Sequence, residues 1–201
     1  MALNFANNNS LSAIDTKPSG LSGGALNLIS TQTASSSSTI DFTSGIDSTY
    51  DEYVFKFYDI HPATDNTNLS FQGNAVGGSG YNETITSTYF RSQHDEGDTN
   101  ASLQYESSYD QAQGTSFQIL SQGVGNDNDQ SCSGYLHLFN PSSTTFVKHY
   151  ISRFHNAHNN NFAMSGFSAG YFNTTSAIDE IQFKMSSGNI DSGVIKLYGI
   201  S

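Results

Sequence analysis

From about residue 37 onwards the chain alternates with a period of two, and that alternation limits the folds open to it. In Tyr53-Val54-Phe55-Lys56-Phe57-Tyr58 the rings of Tyr53, Phe55 and Phe57 share one face, while Glu52, Lys56 and Tyr58 take the other. Successive side chains of a strand point to opposite sides, so this is the pattern of a half-buried strand. Similar short runs, rich in β-branched and aromatic residues, occupy 68–72, 83–91, 115–121, 134–139, 145–154, 162–172, 178–185 and 194–200. In the run 178–185, Ile181, Phe183 and Met185 point one way and Glu180, Gln182 and Lys184 the other. The turn residues Ser187 to Gly193 lead from it to the last strand, and a hairpin is expected there.

Breakers separate the runs: Gly73-Asn74, Gly77-Gly78-Ser79-Gly80, Gly97-Asp98, the stretch 123–129 and Asn140-Pro141-Ser142. About ten short strands without a convincing helix predict an all-β fold, since each strand has one face to bury and sheets must cover one another. The expected form is a two-sheet antiparallel sandwich of jelly-roll type over residues 37–201. Residues 1–36 read as an extended N-terminal arm, because Ser, Asn and Gly clusters interrupt isolated apolar residues. Leu3, Phe5, Leu11, Ile14, Leu21 and Leu26, with Leu28 and Ile29, lack the spacing of an amphipathic helix, and they are candidate anchors for docking on a partner.

Composition narrows the function. Of 201 residues, 35% are hydrophobic and 12% charged, so the core is thin and the surface is mainly uncharged and polar. Ser, Thr, Asn and Gln supply roughly 39%. A formal charge of -11 from 18 acids and 7 bases repels phosphates and excludes nucleic acid and anionic lipid as expected partners. The start of the chain has neither a basic region nor an apolar run of signal-peptide length, and no stretch approaches a membrane span, so neither export nor membrane insertion is expected. The single cysteine, Cys132, excludes an internal disulfide and a paired-cysteine metal site, and it reads as a small buried side chain.

No catalytic pattern emerges. His94-Asp95-Glu96-Gly97-Asp98 and Asn126-Asp127-Asn128-Asp129 are the densest ligand clusters, but turns account for both more simply than cations do. His155 and His158 have helical spacing without a helix, and His137 and His149 read as half-exposed strand residues. No Gly-x-Ser-x-Gly elbow is present, the Gly77–Gly80 run lacks the lysine of a phosphate loop, and nothing selects Glu83 with Glu106 or Asp110 as a carboxylate pair. No enzymatic activity and no cofactor are expected.

The segments 37–46, 53–62 and 186–200 resemble virion structural proteins of tailed bacteriophages, particularly those from marine hosts, over about residues 35 to 200. The ending Gly193-Val194-Ile195-Lys196-Leu197-Tyr198-Gly199-Ile200 is similar to the closing strand of β-sandwich domains in phage fibre and appendage proteins. The resemblance implies location in the virion as a fibre, spike or capsid decoration, partnership with other virion proteins, a homo-oligomer with a trimer favoured, and an N-terminal segment that docks on the particle. Host surface glycans are the expected external ligand. Tyr81, Tyr89, Phe162 and Tyr171 are candidates to stack on sugar rings, in the virion or, alternatively, in a free carbohydrate-binding module.

Overall fold

A computed structural model describes residues 25–200. They form thirteen strands and no helix: β1 (Leu26–Ser37), β2 (Ile40–Phe42), β3 (Glu52–Pro62), β4 (Thr67–Ala75), β5 (Ile85–Asp95), β6 (Ala101–Tyr105), β7 (Ala112–Gly114), β8 (Gln118–Val124), β9 (Cys132–Phe139), β10 (Lys148–His158), β11 (Phe162–Phe172), β12 (Ile178–Met185) and β13 (Ile190–Ile200). Every strand pair is antiparallel.

A large ladder runs β1-β13-β3-β9-β10-β11-β5, with β6 and β7 both on the far side of β5. A smaller ladder runs β8-β4-β12-β2. The two join at one corner, where His158 of β10 pairs with Val124 of β8, so the strands form one continuous sheet curled almost into a barrel. The alternation read from sequence sets which faces meet inside. Tyr53, Phe55 and Phe57 of β3 and Ile181, Phe183 and Met185 of β12 are all buried, while Lys56, Gln182 and Lys184 keep contact with solvent.

Phe183 is the centre of this core. Its ring lies 4.9 Å from that of Phe57, 5.2 Å from Phe55, 6.0 Å from Phe42 and 6.4 Å from Phe71. Three of the four contacts are edge-to-face, the geometry that places the positive rim of one ring on the negative face of another. The cluster continues through Phe57 to Phe154 at 4.8 Å and through Phe71 to Tyr150 at 4.9 Å.

Three expectations change. No hairpin joins the last two strands: β12 pairs with β2 and β4, whereas β13 pairs with β1 and β3. The chain crosses the core at the turn around Gly188, which has a positive φ of 69°, and the crossing sets the apolar face of β12 opposite that of β13 rather than beside it. Gly73-Asn74 is no turn but lies inside β4, where the missing side chain leaves room for Phe172: a Cβ on Gly73 would come within 2.9 Å of that ring. The sheet also starts earlier than residue 37. Leu26–Ser37 is β1, paired with β13 from Leu26↔Ile200 to Ser37↔Ile190. As an edge strand it buries only Ala34 and packs Ile29 partly against the core, so its sequence carries no apolar alternation.

Replacing Phe183 with Ala removes a ring that both ladders share. It is expected to lower the free energy of unfolding by about 3–5 kcal/mol in a urea titration. Phe146, 70% exposed, is the internal control, and its replacement by Ala should change stability by no more than about 0.5 kcal/mol.

Candidate functional site

The residues that alternate with the core rings face outward on the large ladder, and the strand register lines them up. Lys196 of β13 is opposite Lys56 of β3, Lys56 is opposite Tyr135 of β9, and Tyr135 is opposite Arg153 of β10. Arg153 then meets Phe167 of β11, Phe167 meets Phe90 of β5, and Phe90 meets Tyr105 of β6. Adjacent strands sit ~4.8 Å apart, so this single row of seven residues extends roughly 30 Å across the sheet. Tyr135 is 38% exposed, Phe90 41% and Tyr105 53%.

Ring contacts organise the row. Phe90 and Phe167 are stacked, with centroids 4.7 Å apart and planes within 5°. The Arg153 guanidinium carbon lies 5.1 Å from the centroid of Phe167. Beside the row, Tyr135 meets His137 edge-on at 5.1 Å, and His137 Nδ1 is paired with the Glu52 carboxylate. Exposed Ile151 and Leu103 extend the apolar area. Flat rings set at strand spacing on an open face suit a flat, extended ligand with apolar faces and polar edges.

A second concavity lies where three connections converge at one end of the sheet. The β5–β6, β8–β9 and β10–β11 connections enclose about 420 Å3 between Glu96, Asp127, Asp129, His155, His158 and Phe162. The two acidic segments distant in sequence therefore share one cleft. Each is built as a turn. Asp95 Oδ1 accepts from the backbone N–H groups of Thr99 and Asn100 at 2.8 and 2.7 Å, and its Oδ2 accepts from the Thr99 hydroxyl. These bonds, the Thr99 hydroxyl foremost, hold the carboxyl below its usual range. Gln130 N–H donates to Asp127 O at 2.8 Å, and the Gln130 side-chain oxygen accepts from Asp127 N–H at 3.2 Å. Among the described residues no three His, Cys, Asp or Glu side chains come together as a metal-holding group.

The candidates named from sequence scatter over the molecule. Phe162 lines the end cleft. Tyr171 is half-buried on the outer face, edge-on to His149 at 5.9 Å. Tyr81 is half-buried in the β4–β5 connection, where burial and the nearby Glu180 and Asp41 push its phenol up to about 12. Tyr89 is fully buried and cannot stack on a sugar. The alternation of β5 turns Ile85, Ser87 and Tyr89 inward, so Phe90, one residue further, is the ring that reaches solvent. Of the docking candidates, Leu26 opens β1 with an exposed side chain, while Leu3, Phe5, Leu11, Ile14 and Leu21 lie outside the described residues.

The remaining chemistry-bearing groups have structural partners. Glu106 accepts from Arg91 Nε at 2.5 Å and from the Gln104 amide at 2.7 Å. Glu83 accepts from Ala75 N–H at 3.1 Å, and Asp110 accepts from the Tyr105 hydroxyl. Cys132 is buried, and burial pushes its thiol up to about 12. Comparison with protein-family models gave no match, and neither did comparison with curated proteins.

His158 gives the end cleft a pH response. Burial, with a smaller contribution from Arg91, moves its imidazole below the usual 6.5, and its Nδ1 accepts from Asn160 N–H at 3.1 Å. The unfolded chain therefore binds a proton that the folded chain resists. This contribution to stability is complete above pH 6.5 and is lost as pH falls through the lowered folded value. Urea titrations between about pH 7 and about pH 5 should show wild-type stability falling with pH, and His158→Gln should flatten that slope.

Proposed function

We propose that this chain is a non-enzymatic structural component of a tailed-phage particle whose β-domain binds host-surface glycans. The segment preceding β1 anchors it to other virion proteins, and the domain projects as a fibre, spike or capsid decoration within a homo-oligomer, a trimer being favoured. The virion reading rests on the resemblance of segments 37–46, 53–62 and 186–200. A jelly-roll type of domain is supported by the pairing of β3 with β13 in one ladder and of β4 with β12 in the other. Those four strands are what a ribbon folded across the core would give.

The glycan reading is carried by one observation, the open row Tyr135, Arg153, Phe167, Phe90 and Tyr105. Its rings lie on rigid paired strands, so a ligand meets them without first ordering loops. The same row favours a free carbohydrate-binding module equally well, and location separates the two. In the virion reading, quantitative mass spectrometry of purified particles finds the chain at a fixed ratio to the major capsid protein; its absence from particles leaves the free module.

On a glycan array the full chain is expected to bind a defined subset of sugars. Phe90→Ala combined with Tyr135→Ala should weaken that binding at least about tenfold, equivalent to ~1.4 kcal/mol, with the thermal midpoint little changed. Binding that survives the double substitution would move the glycan site elsewhere, the end cleft around Phe162 being next to test.

A further inference from the structure

The charges of this chain are segregated in a way its overall balance hides. Acids exceed bases by 11, yet the row on the outer face carries Lys196, Lys56 and Arg153 and no carboxylate. Of the six described lysines and arginines these are half, and none has a carboxylate within 4.0 Å among the described residues. The other three are engaged elsewhere: Arg91 with Glu106, Lys148 with the carbonyls of Phe146 and Thr174, and Lys184 over the ring of Phe117. β3 carries two acids, Asp59 three residues from Lys56 and Glu52 four residues from it; Asp59 accepts from the Ser133 hydroxyl at 3.4 Å, and Glu52 is held by His137.

Lys196 and Lys56 are direct cross-strand partners, an arrangement that costs stability through like-charge repulsion. The two ammonium groups splay apart. Lys56 Nζ lies 5.7 Å from the ring centroid of Tyr198 on β13, and Lys196 Nζ lies 5.5 Å from that of Tyr58 on β3. Since Tyr198 is level with Val54 and Tyr58 with Val194, the two lysines lean in opposite directions along the strands. Tyrosine faces hold both charges in place, and Phe167 does the same for Arg153. The result is three cations held over rings, with no carboxylate within 4.0 Å among the described residues, in register with the exposed rings.

We propose that the ligand of this face is an acidic polysaccharide, a sugar chain bearing carboxylate or sulfate groups. Its rings lie on Tyr135, Phe90 and Tyr105, and its acid groups pair with Lys56, Lys196 and Arg153. This rests on the glycan reading above and names its ligand class. Neutral sugars need only the rings; an anionic chain also relieves the Lys56–Lys196 repulsion and supplies the three cations with anionic partners. At physiological ionic strength the Debye length is about 8 Å, so acids at the loop ends are screened from a ligand at the centre of the face.

The test uses the full chain and three probes: alginate, its uncharged propylene glycol ester, and dextran. Affinity electrophoresis or calorimetry at about 0.15 M salt compares them. Wild type is expected to bind alginate at least about tenfold tighter than the ester. Lys56→Gln with Lys196→Gln should cut that preference at least about threefold, Arg153 keeping the rest, and should weaken alginate binding more than ester binding, whereas Phe90→Ala with Tyr135→Ala should weaken both alike. The lysine variant should also match or exceed the wild-type thermal midpoint, because it removes a like-charge pair; a purely structural role for these lysines predicts a lower one. Equal binding of alginate and ester, unmoved by the lysine substitutions, overturns the acidic-ligand proposal and leaves the glycan face standing. No binding to any of the three and a flat array result overturn both. A concentration-dependent dimer that the lysine substitutions dissociate would show a second copy on this face and also overturn the proposal.

Discussion

A chain with 35% hydrophobic residues must make each buried ring serve more than one strand, and the packing around Phe183 shows how this is done. The ring sits on β12 in the smaller ladder and reaches Phe55 and Phe57 on β3 in the larger one. Through Phe42 and Phe71 it also touches the two strands that flank β12. Edge-to-face contacts fix angles as well as distances, so the cluster sets the separation and the relative orientation of the ladders together. The outer row depends on the same packing. Phe55 and Phe57 face in only if Lys56 faces out, and each neighbouring strand repeats that choice in register.

Burial that apolar residues do not supply is completed by satisfied polar groups. Gln118 is fully buried, with its oxygen accepting from the Ser87 hydroxyl at 2.6 Å and its amide donating to Tyr109 O at 2.9 Å. The Gln72 amide lies within 3.2 Å of the carbonyls of Glu83, Thr115 and Ser116. Asn156 links β10 to β8, donating to Gln122 O at 3.0 Å while the Ser121 hydroxyl donates to its side-chain oxygen at 3.1 Å. Gln72 and Gln118 thereby hold Tyr109, Thr115 and Ser116, which flank β7 at the side of β5, and Asn156 holds the backbone of β8. A buried donor or acceptor left unpaired costs about 1–3 kcal/mol, so such a network specifies one arrangement of the loops more sharply than apolar contacts would.

The period-two pattern made the class of fold legible, together with the inward faces of β3 and β12, because burial of one face writes itself directly into sequence. Strand partnership left no such trace. The residues of β12 and β13 read the same whether the strands lie side by side or across the core, and the sequence-based hairpin failed at that point. β1 was hidden for the opposite reason: at a sheet edge with little buried surface, backbone pairing to β13 makes the strand, and side chains such as Thr31, Gln32 and Thr33 do not announce it. The candidate site suffered from phase. Choosing Tyr89 over Phe90 required knowing which way β5 faces, and Ile85 and Ser87, both buried, set that phase. Arg153, Phe167 and Tyr135 belong to three strands, and only their register makes them neighbours.

Charge and position are linked by the same geometry. Turns and loop ends are where Asp and Asn are favoured, because their side chains bond nearby backbone, as Asp95 does to Thr99 and Asn100. A β-fold with many connections therefore collects acids at its ends, and the cleft between Glu96, Asp127 and Asp129 is the clearest instance. The sheet face is exempt from that pressure, since its residues are chosen by cross-strand neighbours instead. There, each cation that has been kept lies over an aromatic ring rather than beside an acid. A chain of net charge -11 thus carries on its large ladder a row of seven residues that holds four aromatic rings, three cations and no carboxylate, in contrast to the cleft at the sheet end where Glu96, Asp127 and Asp129 gather.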